Sequence, residues 1–388
     1  MDKEACREAL IQMQEYTEDV QGLLGISTPG RSRNSYGEFI SGQPSGAVNH
    51  YTASNQAKGP KRPYGRLPVL MERFKPQGNQ GVGVQFIVWD DVEDRFNGIR
   101  QRYPLIASTP SEMFCFGFDE AYWHAGWANR WAYGIEIRNI GQLQRKAGRS
   151  DVFYWNRGQI RYRGRPPIKV GNSHWEPYTW SQMVGTLWIH RLMATIYDIQ
   201  PERFIGHNLL TSTRVDPGPH FPLHEMREFT VFKQDWPLLQ VPFLDEFAVR
   251  RDSGAEVGAV DDPMVSESSL HQGLYRHDWD GVPSGDDDFS VVPMVNQPGA
   301  VETAQSKLQS TDDVLWAKRQ LRSVGYYVGD MDTYPNAAFL ESLRIFQARW
   351  KKGRNGKPDM VQSMDVTGEL DKKTVKLILQ FVRQQDVL

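Results

Sequence analysis

The sequence predicts an α/β protein in which a central mixed β-sheet is flanked by helices, with a small C-terminal three-helix bundle added. Three observations lead to that class. Residues 40–248 alternate strand-like and helical runs, the order that builds a sheet covered by helices. Residues 249–311 break the pattern with 11 Asp/Glu against 4 Lys/Arg, a local charge of −7. Residues 312–388 then return to apolar periodicity of the helical kind.

In chain order, the first 25 residues read as one amphipathic helix with Leu10, Met13 and Val20 turned inward. Residues 1–39 therefore form a helix and lead-in that pack on the α/β core. The runs GVGVQFIVW (81–89) and YGIEIRN (133–139) are strand-like, and WSQMVGTLWIHRLMATIYDI (180–199) is helical. In the second strand, alternation puts Ile135 and Ile137 on one face and Glu136 on the other. A carboxylate at mid-strand is costly without a partner or a task, and an ion pair with Arg138 or Arg130 is the structural alternative. Residues 249–311 bury too little apolar surface to offset their ordering entropy, so they read as an acidic flexible linker. Within it, LYRHDW and FSVVPMV are short islands able to dock locally. Beyond it, Val314, Ala317 and Leu321 make a helical stripe closed by Gly325, and Phe339, Leu343 and Phe346 make a second. The segment DVTGELDKKTVKLILQF supplies a turn and a third helix. This module holds 13 Lys/Arg and 10 Asp/Glu.

Bulk properties narrow the function classes. The 388 residues suffice for two or three domains, and a mean hydropathy of −0.56 fits a water-soluble chain. No run approaches the ~18 apolar residues of a membrane span. The N-terminus, MDKEACREALIQMQEY, mixes charges through its first turns and lacks the apolar core of a secretory signal. Synthesis in the cytoplasm is therefore expected, with any action outside following release or delivery. Cys6 and Cys115 are the only cysteines, too few for a disulfide framework or a paired zinc motif. A net charge of −2 gives no whole-chain argument for nucleic acid.

Of nine histidines, most need no special role. His190 sits in a helix beside the stripe Met183, Leu187 and Ala194, and His271 and His277 fall in the linker. His50 and His207 each end a short strand-like run, where open α/β sheets place their sites. Asp216 follows Val215 and precedes Pro217-Gly218-Pro219, so its carboxylate stands on a stiff turn. Two imidazoles and one carboxylate are the ligand pattern of a catalytic zinc with one open position. On spacing alone, the same residues serve equally as capping groups.

GHNLLTSTRVDPGPHFP resembles the last zinc motif of the N-acetylmuramoyl-L-alanine amidase family, which also includes the peptidoglycan recognition proteins. NHYTAS is similar to its first zinc motif, AYWHAG to its mid-domain motif and YGIEIRN to its catalytic-glutamate strand, all in the family's order. The resemblance spans roughly residues 40–225. It implies that His50, His207 and Asp216 bind Zn2+ and that Glu136 is the general base. Arg214 stands where many relatives carry lysine; arginine holds its proton, so it fits an oxyanion clamp and not a general acid. His124, Tyr51 and Asn139, within these motifs, are the candidate substrate-binding residues, with a hydrogen-bonded structural role as the alternative for His124. His220 is then a bystander.

The implied reaction is hydrolysis of the amide joining N-acetylmuramic acid to L-alanine, with peptidoglycan as partner and a monomer favoured. The C-terminal DDVLWAKRQLRSVGYYVGDMD and DVTGELDKKT resemble a three-helix peptidoglycan-binding module, although Ala317-Lys318 replaces its usual Leu-Gln. A hydrolase with such a module resembles a phage endolysin; an effector delivered by a secretion apparatus is the alternative. A binding protein that keeps the fold without catalysis is the main rival, and the presence of both Asp216 and Glu136 weighs against it. No HExxH occurs, so the common metalloprotease arrangement is unsupported. Residues 142–169 carry eight Lys/Arg against Asp151. A solvated loop, a wall-contacting surface and a nucleic-acid grip all stand open for this insertion, RGQIRYRG reading as a hairpin.

Overall fold

The computed structural model describes residues 2–26, 35–53, 67–74, 83–91, 93–122, 124–149, 151–155, 160–162, 165–170, 173–211, 214–241, 244, 311–349 and 370–387. The expected linker lies outside the described residues except at Thr311, as do its two apolar islands. The described chain divides into two compact units: Met1–Ile168 with His174–Asn208 and Val215–Val260, and Lys169–Ser173 with Leu209–Arg214 and Asp261–Leu388.

The first unit is built on a five-stranded mixed sheet. Its strands are β2 (Gly46–Tyr51), β3 (Phe86–Asp91), β4 (Ser111–Cys115), β6 (Ala132–Ile137) and β11 (Phe204–Gly206). Their spatial order is β11-β2-β6-β3-β4, with β11, β2, β6 and β3 parallel and β4 antiparallel at the far edge. Parallel strands need both faces covered, and the burial of every residue of β4 and β6 meets that need. Two short strands, β1 (Ser35–Gly37) and β5 (Ala121–Tyr122), pair separately.

Two long helices, packed against each other, supply the cover on one face. α1 (Lys3–Leu23) starts at Asp2, whose side chain accepts from the Glu4 amide, and buries Leu10, Met13, Tyr16 and Val20 as its periodicity predicts. The Tyr16 hydroxyl donates to Glu112 Oε2 at 2.5 Å, fastening the helix to β4. α5 (Trp180–Tyr197) opens with a capping box: Thr179 Oγ1 accepts from the Gln182 amide, and Gln182 Oε1 accepts from the Thr179 amide. Gln182 Nε2 also donates to the carbonyls of Trp89 and Arg138, so the same residue docks the helix on β3 and on the end of β6. Nearly every α5 side chain is buried, the mark of a helix enclosed in a core.

His190 of α5 is fully buried. Its Nδ1 accepts from the Tyr133 hydroxyl at 2.7 Å, and its Nε2 donates to Asn49 Oδ1 at 3.0 Å. It is a structural histidine, as the stripe around it implied.

Part of the basic insertion forms an antiparallel meander of β7 (Gln142–Arg145), β8 (Phe153–Trp155) and β9 (Ile160–Arg161), with β10 (Ser173–Trp175) beside β7. Of the hairpin expected within RGQIRYRG, the described residues show Ile160 and Arg161 pairing with Trp155 and Tyr154; residues 157–159, 163 and 164 lie outside the described residues. Arg145, Lys146, Arg149 and Arg161 are exposed, and Arg149 pairs with Asp151 at 3.2 Å. Arg157 and Arg163 lie outside the described residues.

The second unit contains three helices, numbered after α2 (Leu67–Phe74), α3 (Asn97–Arg100), α4 (Pro104–Ala107), α6 (His207–Leu210) and α7 (Leu223–Arg227): α8 (Thr311–Ser323), α9 (Ala337–Arg349) and α10 (Lys372–Val387). Ala317, Leu321, Phe339, Leu343, Phe346 and Phe381 form its buried interior. Tyr326, Phe346 and Phe381 meet edge-on or tilted at centroid distances of 5.9–6.5 Å. Lys318 accounts for its departure from the usual residue. Its ammonium is fully buried and donates to Asp332 Oδ1 and to the carbonyls of Asp330 and Tyr334, so it pins the loop between α8 and α9. Among the described residues, no helix is long and apolar enough to cross a membrane.

Candidate active site

The parallel arrangement brings three strand ends to one edge. His50 is the penultimate residue of β2, Glu136 the penultimate residue of β6, and His207 directly follows β11. Cα register pairs His50 with Glu136 across β2 and β6, so these two side chains stand side by side on one face. The carboxylate is largely buried, while its neighbours Ile135 and Ile137 enter the core behind the sheet.

Asp216 comes from the loop after α6. Its carbonyl accepts from the Asn208 amide at 2.8 Å, and the carbonyl of the next residue, Pro217, accepts from the Tyr178 hydroxyl at 2.6 Å. The turn is thus tied both to the residue after His207 and to the approach to α5. Asp216 Oδ2 then lies 2.9 Å from His50 Nδ1 and 3.1 Å from His207 Nδ1. One ligating atom from each of the three residues falls within 4.8 Å of the others. Burial alone would raise the Asp216 pKa, but the adjoining His207 and His50 imidazoles outweigh it and hold the carboxyl below its usual range.

This donor set fits a divalent ion of the zinc kind. Two imidazole nitrogens and one carboxylate oxygen are borderline ligands of the type zinc accepts, and three protein donors leave a position open. Both Nδ1 atoms face the same buried carboxylate oxygen, so with the ring protons on Nε2 all three residues present lone pairs to a cation.

His124 reaches the cluster from the loop after β5. Its Nδ1 is 3.1 Å from His50 Nε2, its Nε2 is 3.0 Å from the Ala132 carbonyl, and its backbone amide donates to Asn129 Oδ1. Burial, and next the neighbouring His50, push its pKa well below the usual imidazole range, so it is neutral at pH 7. The ring occupies space that only a glycine leaves: a Cβ on Gly134 would lie 2.8 Å from His124 Cγ and Nδ1.

Other candidates are placed differently. Tyr51 is half-buried, its ring lying over Gly141, where a Cβ would come within 2.4 Å of it. Asn139 is fully buried and spends its side chain internally: Nδ2 donates to the Glu176 carbonyl, and Oδ1 accepts from the Gly141 amide. It shapes the loop after β6. Arg214 is exposed. His220 is buried and stacks on Tyr178 at 4.9 Å, outside the ligand cluster.

Three supporting residues went unread in the sequence. Gly134 had a signal, since a glycine inside a strand marks close approach by another group. Glu176 had none: it accepts from Arg138 Nη1 and the Ile140 amide, partners more than 30 residues away, and so fixes the loop after β6. Tyr178 likewise acts on a turn far along the chain.

The chain is similar to AmpDh3 from Pseudomonas aeruginosa, with 18% identity over 92% of this chain and 96% of that one and a TM-score of 0.32. It is also similar to the N-acetylmuramyl-L-alanine amidase AmiD from E. coli, solved with anhydro-N-acetylmuramic acid-L-Ala-D-gamma-Glu-L-Lys, with 15% identity over 88% of this chain and 90% of that one and a TM-score of 0.30. No curated protein sequence matches significantly. The family model described as N-acetylmuramoyl-L-alanine amidase matches residues 41–219, the span that carries His50, His124, Glu136, His207 and Asp216, and so supports the amidase family for this part of the chain.

Proposed function

We propose that the protein is a peptidoglycan hydrolase that cleaves the amide between the lactyl group of N-acetylmuramic acid and L-alanine. Zinc would be held by His50, His207 and Asp216. The observation that carries this reading is the convergence of those three donors, with Glu136 in register beside His50, inside the amidase-matched span. When bound, zinc supplies Lewis acidity that brings the pKa of water toward neutrality and polarises a carbonyl. Glu136 takes a proton from the attacking water and passes it to the departing L-alanine nitrogen as the C–N bond breaks. The products are a lactyl carboxylate and a free amine. Arg214, permanently charged, would serve as a fixed countercharge to the oxyanion in this reading, and Tyr51 would line the substrate side.

We assign residues 1–39 to a helical lead-in, 40–248 to catalysis, 249–311 to a tether and 312–388 to wall binding. An insoluble polymer favours this order, because a tethered module raises the local concentration of the catalytic part. A lytic, endolysin-like role acting on the cell wall after release or delivery is the biological setting proposed. Mass spectrometry of purified peptidoglycan after digestion tests the reaction. Free stem peptides beside intact glycan strands are expected, and new reducing sugar ends without free stems would overturn the amidase reading.

A further inference from the structure

We propose that His124 is a positioning residue that holds His50 in a single tautomer, with its Nδ1 lone pair turned to the metal position, and thereby sets metal affinity. The inference rests on the reading of His50, His207 and Asp216 as metal ligands.

The Ala132 carbonyl can only accept, so His124 Nε2, 3.0 Å away, must carry the proton. In a neutral ring the other nitrogen, Nδ1, is then an acceptor. Among the described residues no carboxylate pairs with His124 to favour a second proton. His50 Nε2, 3.1 Å from that acceptor, must therefore donate to it. A neutral His50 protonated at Nε2 has its lone pair on Nδ1, the atom that faces Asp216 Oδ2 at 2.9 Å. A lone pair facing a carboxylate oxygen across that distance repels unless a cation lies between them. The chain Ala132–His124–His50 thus builds, from a fixed carbonyl, the electronic state that an ion needs. Ring orientation and ligand basicity in metal sites are commonly set by such outer partners.

The same geometry revises the reading of His124 as a substrate contact. Both of its ring nitrogens are engaged within the protein, and a substrate hydrogen bond would have to break one of these.

The test is zinc affinity by chelator competition on the full chain, with thermal melts to verify folding. His124→Leu, which fills the space but carries no polar atom, is expected to bind zinc about 10- to 100-fold more weakly. His124→Gln keeps an acceptor for His50 and a donor for Ala132, and is expected to recover most of that loss. A folded His124→Leu protein with wild-type zinc affinity would overturn the proposal while leaving the metal site standing. Failure of the wild-type chain to bind zinc at this site would overturn both. Should His124→Leu not fold, long-range 1H–15N spectra of the zinc-loaded wild type decide the matter. A proton on His50 Nε2 supports the proposal, and a proton on Nδ1 with metal on Nε2 sinks it.

Discussion

At the scale of single residues, the cluster turns on where one proton or one methyl group sits. Glu136→Ala is expected to keep its zinc content yet lose about 100- to 10,000-fold in hydrolysis, the usual range for removing a general base. Metal analysis beside peptidoglycan turnover checks it, and full turnover would take Glu136 out of the mechanism. Gly134→Ala acts on the same edge by steric means. The added methyl would meet the His124 ring at 2.8 Å, and overpacking of that kind costs about 1–3 kcal/mol. Thermal melts should show the loss, and zinc titration should show weaker binding as His124 is pushed from His50.

At the scale of elements, α5 is locked to the sheet through neutral His190. Burial brings its pKa down to about 3, whereas an unfolded histidine titrates near ~6.5. Between those values the unfolded chain binds the extra proton, so stability falls as pH drops below ~6.5. Going from pH 6.5 to 4.5 should cost about 2 kcal/mol through this group alone. His190→Gln stays neutral throughout, and melting curves of the metal-free protein should lose that share of the acid sensitivity. Equal slopes for both proteins would mean that His190 is not the group responsible. Elements also show what was legible. The α1 stripe and the Ile135/Glu136 alternation were readable because each is a local period imposed by helix or strand geometry. The docking of Gln182 on two strands and the fastening of Tyr16 to Glu112 were not, because their partners are remote in sequence.

At the scale of the whole molecule, the proposed order of a catalytic part, an acidic tether and a wall-binding module would suit work on an insoluble polymer. Deleting residues 312–388 should lower retention on peptidoglycan sacculi in a pull-down while leaving cleavage of short soluble muropeptides within a few-fold. Unchanged retention would show that the anchor lies elsewhere, the exposed arginines and lysine of the β7–β9 meander being the next place to look.

The sequence by itself determined the element types and the α/β class, because periodicity and turn chemistry are local properties. It offered His50, His207, Asp216 and Glu136 as candidates through the motifs that resemble the amidase family. Tertiary structure alone decided that β2, β6 and β11 run parallel side by side, which brings residues 50, 136 and 207 to one edge. It also decided that Asn139 is spent inside its own loop and that His124 faces His50 and Ala132. The physical reason is common to these cases: hydrogen-bond direction and strand register depend on what packs across the sheet, and a linear chain does not encode that locally.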